Sequence, residues 1–214
     1  MWQRTVERRR LTQAPLVLTM SERSLAPLKN PPETVVVPAP VEPSGPPGAR
    51  DIVALAYAGN PEKKRLDVIL EAWRAARRDH ETLVVAGIDG LDPVEGVELT
   101  GRLPAPEYRA FLRRATVFVA APRREDYGIA PLEALADGCM LVTTPAPGPY
   151  PALELARRLD PRLVSDDLAL AIRTALDDPL PDYAQRAREA LVPFTRATVD
   201  RTIADRVLPR LVPR

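Results

Sequence analysis

The chain alternates short apolar runs with stretches in which apolar residues recur at helical spacing. Six apolar runs predict β-strands, at residues 52–58, 83–86, 97–100, 116–121, 140–144 and 162–164. Most segments between them resemble residues 66–73, where Leu66, Ile69, Leu70 and Trp73 fall on a single helical face. Alternating strands and helices joined by short links predict an α/β fold, a doubly wound parallel sheet with right-handed crossovers.

Proline separates this alternating region from the first part of the chain. The sequence contains 25 prolines, and residues 31–47 are rich in them, which is typical of a semi-rigid extended connector. Before the connector, residues 16–19 and 34–37 predict strands, and residues 21–28 predict a short helix with Ser21 as its N-cap. We therefore expect three parts: residues 1–45, 46–180 and 181–214.

The last part, from residue 181, predicts two helices. The second of them carries an apolar stripe of Val199, Ile203 and Val207, which we expect to be uncovered in this chain alone.

Composition narrows the class of protein. The formal net charge is +1, which gives no reason to expect nucleic-acid binding. A single cysteine, Cys139, excludes an intrachain disulfide, and with one histidine, His80, the chain has no set of residues at metal-ligand spacing. The longest apolar run, at residues 52–58, is far too short to span a bilayer. We expect a cytoplasmic protein with at most peripheral contact with a membrane.

The segment from Glu125 to Glu133 carries two carboxylates around a strand-to-helix junction. It follows the carboxyl end of the predicted strand at 116–121, where ligands bind in open α/β sheets. The N-terminus of the following helix offers unpaired N–H donors to an anion. Gly128 lets the backbone approach a ligand closely, and Pro131 suits the first helical turn. The segment is thus a candidate binding site.

Polar residues and glycines also follow the other predicted strands. They are Gly59, Asn60, Lys64, Gly87, Gly101, Arg102 and Gly148. Because the carboxyl ends of parallel strands meet at one edge, these residues describe a crevice suited to a ligand with phosphates and many hydroxyls. The chain has neither a GxGxxG motif after its first predicted strand nor a Walker motif, which disfavours ordinary dinucleotide and P-loop sites.

The glutamate pair resembles that of the retaining, nucleotide-sugar-dependent glycosyltransferases of the GT-B fold, group 1 or family 4-like. The resemblance covers residues 50–180. It implies that this region is the C-terminal, donor-binding and Rossmann-like half of a GT-B fold. It also implies that the strand-helix-strand before residue 45 is a short remnant of the N-terminal domain.

Two further segments carry the resemblance. Residues 57–67 resemble the loop in which an Arg and a Lys clamp the donor diphosphate: Lys64 matches the Lys, whereas Asn60 replaces the Arg and Arg65 replaces a Gly. The positive charge of the replaced Arg would then have to come from another residue, and Arg102 and Arg124 are the two candidates. Residues 97–103 resemble the segment whose backbone meets the nucleobase.

The resemblance implies two catalytic residues, Glu125 and Lys64, and a larger nucleotide-sugar site. The implied binding residues are Gly59, Asn60, Lys64, Arg102, Leu103, Glu125, Tyr127, Gly128, Ile129, Ala130 and Glu133.

The residue types fit that chemistry. A carboxylate can accept hydrogen bonds from two neighbouring hydroxyls, so Glu133 suits a ribose and Glu125 the transferred sugar. Lys64 and the N–H groups at the helix start would stabilise the diphosphate leaving group without a metal or other cofactor. We expect transfer of a sugar from a nucleotide-diphosphate sugar to an acceptor that the sequence does not specify, with retention by same-face attack.

Other interpretations stay open at this point. The glutamates fit solvated charges near a helix N-terminus, and Asn60 fits a plain helix cap. A catalytically inactive nucleotide-sugar-binding or scaffolding module that needs a partner chain is the alternative function, and an epimerase on the same fold is a third. Since the acceptor site of the two-domain enzymes lies mostly in their N-terminal domain, we expect a partner, either a second copy or a separate N-terminal-domain chain.

Overall fold

The computed structural model describes residues 6, 9–11, 13–26, 30, 32–90 and 92–211. The chain forms two compact units. The first combines the residues up to Pro40 with those from Val192 onward, and the second spans Val41–Leu191. The expected division into domains at residues 45 and 180 stays a prediction.

Parallel strands form the framework of each unit. The strands of the described residues are β1 (Val17–Thr19), β2 (Thr34–Val36), β3 (Ile52–Tyr57), β4 (Leu83–Ala86), β5 (Val97–Gly101), β6 (Ala115–Ala120) and β7 (Met140–Thr143). In the first unit β1 pairs with β2, and in the second the order is β5-β4-β3-β6-β7, all parallel. The chain therefore winds outward from β3 in one direction and then from β6 in the other, so the strand order reverses between β3 and β6. That point is where doubly wound sheets bind ligands.

Helices cover the sheet of the second unit. In this unit they are α1 (Pro61–Lys64), α2 (Leu66–Ala76), α3 (Ala105–Arg114), α4 (Ile129–Ala136), α5 (Pro151–Leu159), α6 (Leu168–Asp177) and α7 (Tyr183–Ala190), and the first unit contains α8 (Arg196–Thr202) and α9 (Leu208–Leu211). Strands β4 and β7 are buried at every residue, as expected when a parallel sheet has both faces covered. The doubly wound α/β fold is thus confirmed.

The helical stripe predicted from residue 66 is the buried face of α2. Leu66, Ile69 and Trp73 are all less than 5% exposed. The Trp73 indole also donates to the Gly96 carbonyl at 2.7 Å, which fastens α2 to the loop that precedes β5.

The expected strand at residues 162–164 is wrong. Pro161–Leu163 form a 3₁₀ turn, and Val164 makes only an isolated bridge to Thr143. The Asp160 carboxylate accepts from the Arg162 N–H at 3.1 Å, and Pro161 has no N–H to donate to a strand. The local hydrogen bond competes successfully with the sheet ladder.

The expected helix at residues 21–28 is shorter than predicted. Glu22–Leu25 form a 3₁₀ helix, and residues 27 and 28 lie outside the described residues. Ser21 makes no side-chain cap bond; its hydroxyl pairs with that of Ser24 at 2.9 Å. The two strands on either side, β1 and β2, are present as expected.

The C-terminal apolar stripe is covered rather than exposed. Val199 and Val207 are buried and Ile203 is half-buried within the first unit, where α8 continues through a π-helical turn, Ile203–Val207, into α9. Leu208 and Leu211 are the large apolar residues of this segment that are exposed. Among the described residues, no helix combines the length and apolar character needed to cross a membrane.

Candidate functional site

A cleft lies past the carboxyl ends of the strands, beside the point where the strand order reverses. Its volume is about 360 Å³, within the range of ligand sites in proteins. It is lined by Tyr57, Lys64, Leu103, Ala105, Tyr108, Ile129, Ala130 and Glu133. A second pocket shares Tyr57, Leu103 and Tyr108 with it and adds Gly59, Ala86, Gly87 and Arg102. Most of the residues expected from the sequence therefore meet at one edge of the sheet.

Lys64 reaches the cleft from a single helical turn. The Asn60 carboxamide accepts from the Lys63 N–H at 3.0 Å, and Pro61 occupies the first position of α1. Asn60 thus acts as a helix cap, one of the two interpretations that the sequence left open. It does not line the cleft, so a role for Asn60 in binding stays a prediction.

Lys64 and Glu125 form an ion pair at the end of the cleft. The Lys64 Nζ and the Glu125 Oε2 are 2.5 Å apart, and the two side chains are 26% and 15% exposed. The Glu125 N–H donates to the Pro147 carbonyl at 3.1 Å, which fixes the loop that carries the carboxylate. The cation expected for a diphosphate and the carboxylate expected for a sugar therefore neutralise each other in this structure.

The start of α4 depends on Gly128. Its φ of 81° is in the left-handed region, and a Cβ at this position would lie 2.6 Å from the Tyr150 ring. Both constraints require glycine here. The N–H groups of Ile129 and Ala130 follow directly, in the first turn, where a helix has no internal partners for its donors. Tyr127 is buried and does not line the cleft.

Glu133 lies one turn further along α4 and is paired with Arg109 on α3. The Arg109 Nη1 is 3.3 Å from the Glu133 Oε1, and the Arg109 Nε donates to the Asp137 Oδ2 at 2.7 Å. Burial raises the pKa of Glu133 above its usual value, and the charge of Arg109 acts in the opposite direction. Glu133 is therefore a partly buried carboxylate stabilised by a neighbouring guanidinium, unlike the solvated charge that the sequence left open.

Three residues of this region were missing from the sequence prediction. Tyr57 and Tyr108 line both pockets, with ring centroids 5.5 Å apart, and Arg109 holds Glu133. Tyr57 lies within a segment that the resemblance already includes, so its position at the end of β3 was a usable signal. Arg109 is one of several arginines on α3, and no local pattern distinguishes it from Arg113 or Arg114.

The two residues that could support other chemistry lie elsewhere in the structure. Cys139 is buried, and burial raises the pKa of its thiol to about 12, so it does not form a nucleophilic thiolate at neutral pH. His80 is exposed. In the described part of the chain no cluster of His, Cys, Asp and Glu could hold a metal ion.

Comparison with known proteins places this chain in a family. A family model described as glycosyl transferases group 1 matches residues 49–178, which include the whole cleft. No curated protein matches the chain in sequence.

Solved structures share the fold. Sucrose-phosphate synthase from Thermosynechococcus elongatus is 18% identical with a TM-score of 0.73, and the match covers 94% of this chain and 59% of that protein. Anabaena HepE, solved with UDP-glucose, is 17% identical with a TM-score of 0.74, covering 94% and 66%. A mutant of S. aureus TarM, solved with UDP among other ligands, is 12% identical with a TM-score of 0.75, covering 96% and 46%. The chain thus spans between 46% and 66% of the length of these proteins.

The residue after Lys64 provides a test of the local structure. Arg65 has a φ of 50°, in the left-handed region that disfavours side chains, and it joins α1 to α2. We expect Arg65→Gly to raise the free energy of unfolding by about 0.5 to 1 kcal/mol, because glycine relieves this strain at some cost in unfolded-state entropy. The measurement is urea denaturation.

The matched control is Arg74→Gly, at an exposed position within α2. It should lower the free energy of unfolding by about 1 kcal/mol, the usual cost of glycine in a helix. Equal destabilisation by both substitutions would contradict the strain at Arg65.

Proposed function

Because this chain belongs to the glycosyl transferases group 1 family, we propose that it binds a nucleoside-diphosphate sugar in the cleft between Lys64 and Glu133. In this proposal the chain is the donor-binding part of a retaining, metal-independent glycosyltransferase. The observation that supports it best is the position of a cation and a half-buried carboxylate in one cleft beside the start of α4.

Each part of a donor has a complementary group. Lys64 and the N–H groups of Ile129 and Ala130 suit the diphosphate, since an anion is stabilised by a cation and by helix N-terminal donors. The Glu133 carboxylate suits the ribose hydroxyls. The second pocket, with Tyr57, Gly87 and Leu103, continues from the ribose end and suits a nucleobase.

Arg102 is the better candidate for the second cation at the donor. It lines the second pocket and has no ion pair among the described residues. Arg124, the other candidate, is exposed and is paired with Asp126 at 2.9 Å. We propose that Arg102 contributes the charge that Asn60 does not.

The proposed reaction uses the same groups. As the bond from the anomeric carbon to the diphosphate oxygen breaks, negative charge grows on the diphosphate, and Lys64 with the α4 N–H donors stabilises it. Glu125 holds the transferred sugar by its hydroxyls. The acceptor attacks from the face that the diphosphate leaves, which gives retention without a protein nucleophile. The acceptor's proton passes to the departing diphosphate.

The first experiment measures binding. Glu133→Ala should weaken the affinity for a nucleoside diphosphate by roughly 1.5 to 3 kcal/mol, about tenfold to a hundredfold, because it removes a charged hydrogen-bond acceptor. Calorimetric titration with UDP, GDP and ADP gives the affinities. The control is Glu154→Ala, which removes an exposed carboxylate on α5. Equal affinities for the wild type and Glu133→Ala would contradict the proposal.

The second experiment concerns the Lys64 and Glu125 pair. A bound diphosphate must compete with Glu125 for Lys64. Glu125→Gln removes the competitor, and we expect the affinity for the bare diphosphate to rise about twofold to fivefold, the effect of a partly exposed pair. The affinity for the whole nucleotide sugar should rise less or fall, because the sugar loses a charged partner.

Asp126→Asn is the control for this experiment. It changes the net charge equally in the same loop but affects Arg124 instead of Lys64. An equal rise in affinity with Asp126→Asn would indicate a general charge effect and would argue against competition at Lys64.

The first unit supports a proposal about partners. Leu18 and Met20 on and beside β1, and Leu208 and Leu211 on α9, are at least half exposed. A two-stranded sheet such as β1 with β2 is marginally stable, and its unpaired edges can add strands. We propose that a second copy of the chain covers this surface, and that a separate N-terminal-domain chain would compete for it.

Light scattering at increasing protein concentration tests self-association. We expect a mass above that of the monomer, and a monomer for Leu18→Asp and for Leu208→Asp, because a charge is costly in an apolar interface. Leu170→Asp, at an equally exposed leucine of the second unit, should leave the association unchanged. A wild-type monomer at all concentrations would rule out self-association.

A further inference from the structure

The guanidinium of Arg109 is bonded on three sides. Its Nε donates to the Asp137 Oδ2 at 2.7 Å, its Nη2 to the Glu42 carbonyl at 2.7 Å, and its Nη1 to the Glu133 Oε1 at 3.3 Å. The Arg109 side chain is only 15% exposed. A planar group with three partners from different segments has little freedom to reorient.

Asp137 makes that arrangement rigid. Its side chain is fully buried at the end of α4. Besides Arg109, it accepts from the Ser44 N–H at 2.7 Å and from the Ser44 hydroxyl at 3.0 Å. Both carboxylate oxygens are therefore used. The connector residues Glu42 and Ser44 and the end of α4 together fix the direction in which Arg109 points.

This arrangement leaves one face of Glu133 for a ligand. Arg109 bonds the Oε1, whereas the Oε2 has no partner among the described residues, and Glu133 lines the cleft. We infer that Arg109 is a positioning residue of the nucleotide site, which directs the Glu133 carboxylate into the cleft. This inference rests on the proposed function, in which Glu133 accepts hydrogen bonds from the donor ribose.

The ionised state is needed because a protonated carboxyl loses acceptor capacity. Burial and, to a smaller extent, Asp137 raise the pKa of Glu133, while Arg109 lowers it. The other groups that face Glu133 are Tyr108 on α3, with Lys64 and Tyr57 in the same cleft. Without Arg109, the pKa of Glu133 would rise further. On lowering the pH, the variant would therefore become protonated at Glu133, and lose affinity, at a higher pH than the wild type.

The test compares nucleoside-diphosphate affinity across pH for substitutions on one helix. Calorimetric titration is done with UDP, GDP and ADP between pH 6 and pH 8. We expect Arg109→Met to bind about tenfold more weakly at pH 8, from loss of orientation. Its affinity should fall further toward pH 6, by more than that of the wild type. Arg109→Lys, which keeps the charge, should recover part of the affinity and the wild-type pH profile.

Arg114→Met is the matched control. Arg114 lies on the same helix and forms a surface pair with Asp51 at 2.5 Å. Its replacement should leave both the affinity and the pH profile unchanged. If Arg109→Met does not fold, the pKa of Glu133 is measured instead in Arg109→Lys by carboxyl NMR. It should stay close to its wild-type value, because the charge is kept. A large rise would overturn the role of the charge.

The double substitution separates this inference from the proposed function. With Glu133→Gln in place, which cannot ionise, adding Arg109→Met should cost less than twofold in affinity and add no pH dependence. An equal loss with and without Glu133→Gln would make Arg109 a purely structural residue and would overturn the inference alone. If Glu133→Gln by itself binds like the wild type, the proposed contact of the Glu133 carboxylate with the ribose fails and the inference fails with it, whereas absence of nucleotide binding by the wild type would overturn the proposed function itself.

Discussion

The parallel pairing of β3 with β6 determines where the candidate functional side chains of the second unit lie. The register joins Leu55 with Phe118 and Ala56 with Val119, so the loops that follow the two strands leave the sheet side by side. The Arg123 N–H then donates to the Lys63 carbonyl at 2.9 Å, which ties one loop to the other. Lys64 and Glu125, 61 positions apart in sequence, meet because of this pairing.

The two carboxylates of the site have different relations to their cations. The pair of Glu125 with Lys64 is partly exposed and lies where a diphosphate and a sugar would enter, so we propose that a donor separates it. The pair of Glu133 with Arg109 is supported by the buried Asp137 and by the connector, so we propose that it stays intact on binding. Lys64 would then exchange Glu125 for the donor, while Arg109 would keep its contact with Glu133. The cleft would therefore keep its shape when Glu125 and Lys64 separate.

Apolar runs were sufficient to predict five strands of the second unit, each to within one residue at either end. A strand buried on both faces is apolar at nearly every position, so its sequence is a continuous apolar run. The same reasoning failed at residues 162–164, where Asp160 and Pro161 form a local turn. It also predicted an uncovered stripe at Val199, Ile203 and Val207, although Val199 and Val207 are buried, because their burial depends on tertiary packing within the first unit. Runs of apolar residues do not carry such information.

The candidate functional residues also differ in how far the sequence could predict them. Lys64, Glu125 and Glu133 were predicted from motif resemblance, and the fold brings them to one region. Arg109 was not predicted, because its contact with Glu133 depends on how α3 packs against α4. Asn60 was predicted both as a ligand residue and as a cap, and its hydrogen bond to Lys63 establishes only the cap.

The most direct test of this account is a crystal structure of the chain with a bound nucleotide sugar. The account predicts that the diphosphate lies at the start of α4, that the Lys64 Nζ has left Glu125 for a phosphate oxygen, and that Arg109 still contacts Glu133. A nucleotide bound outside this cleft, with the ion pair between Lys64 and Glu125 intact, would contradict it.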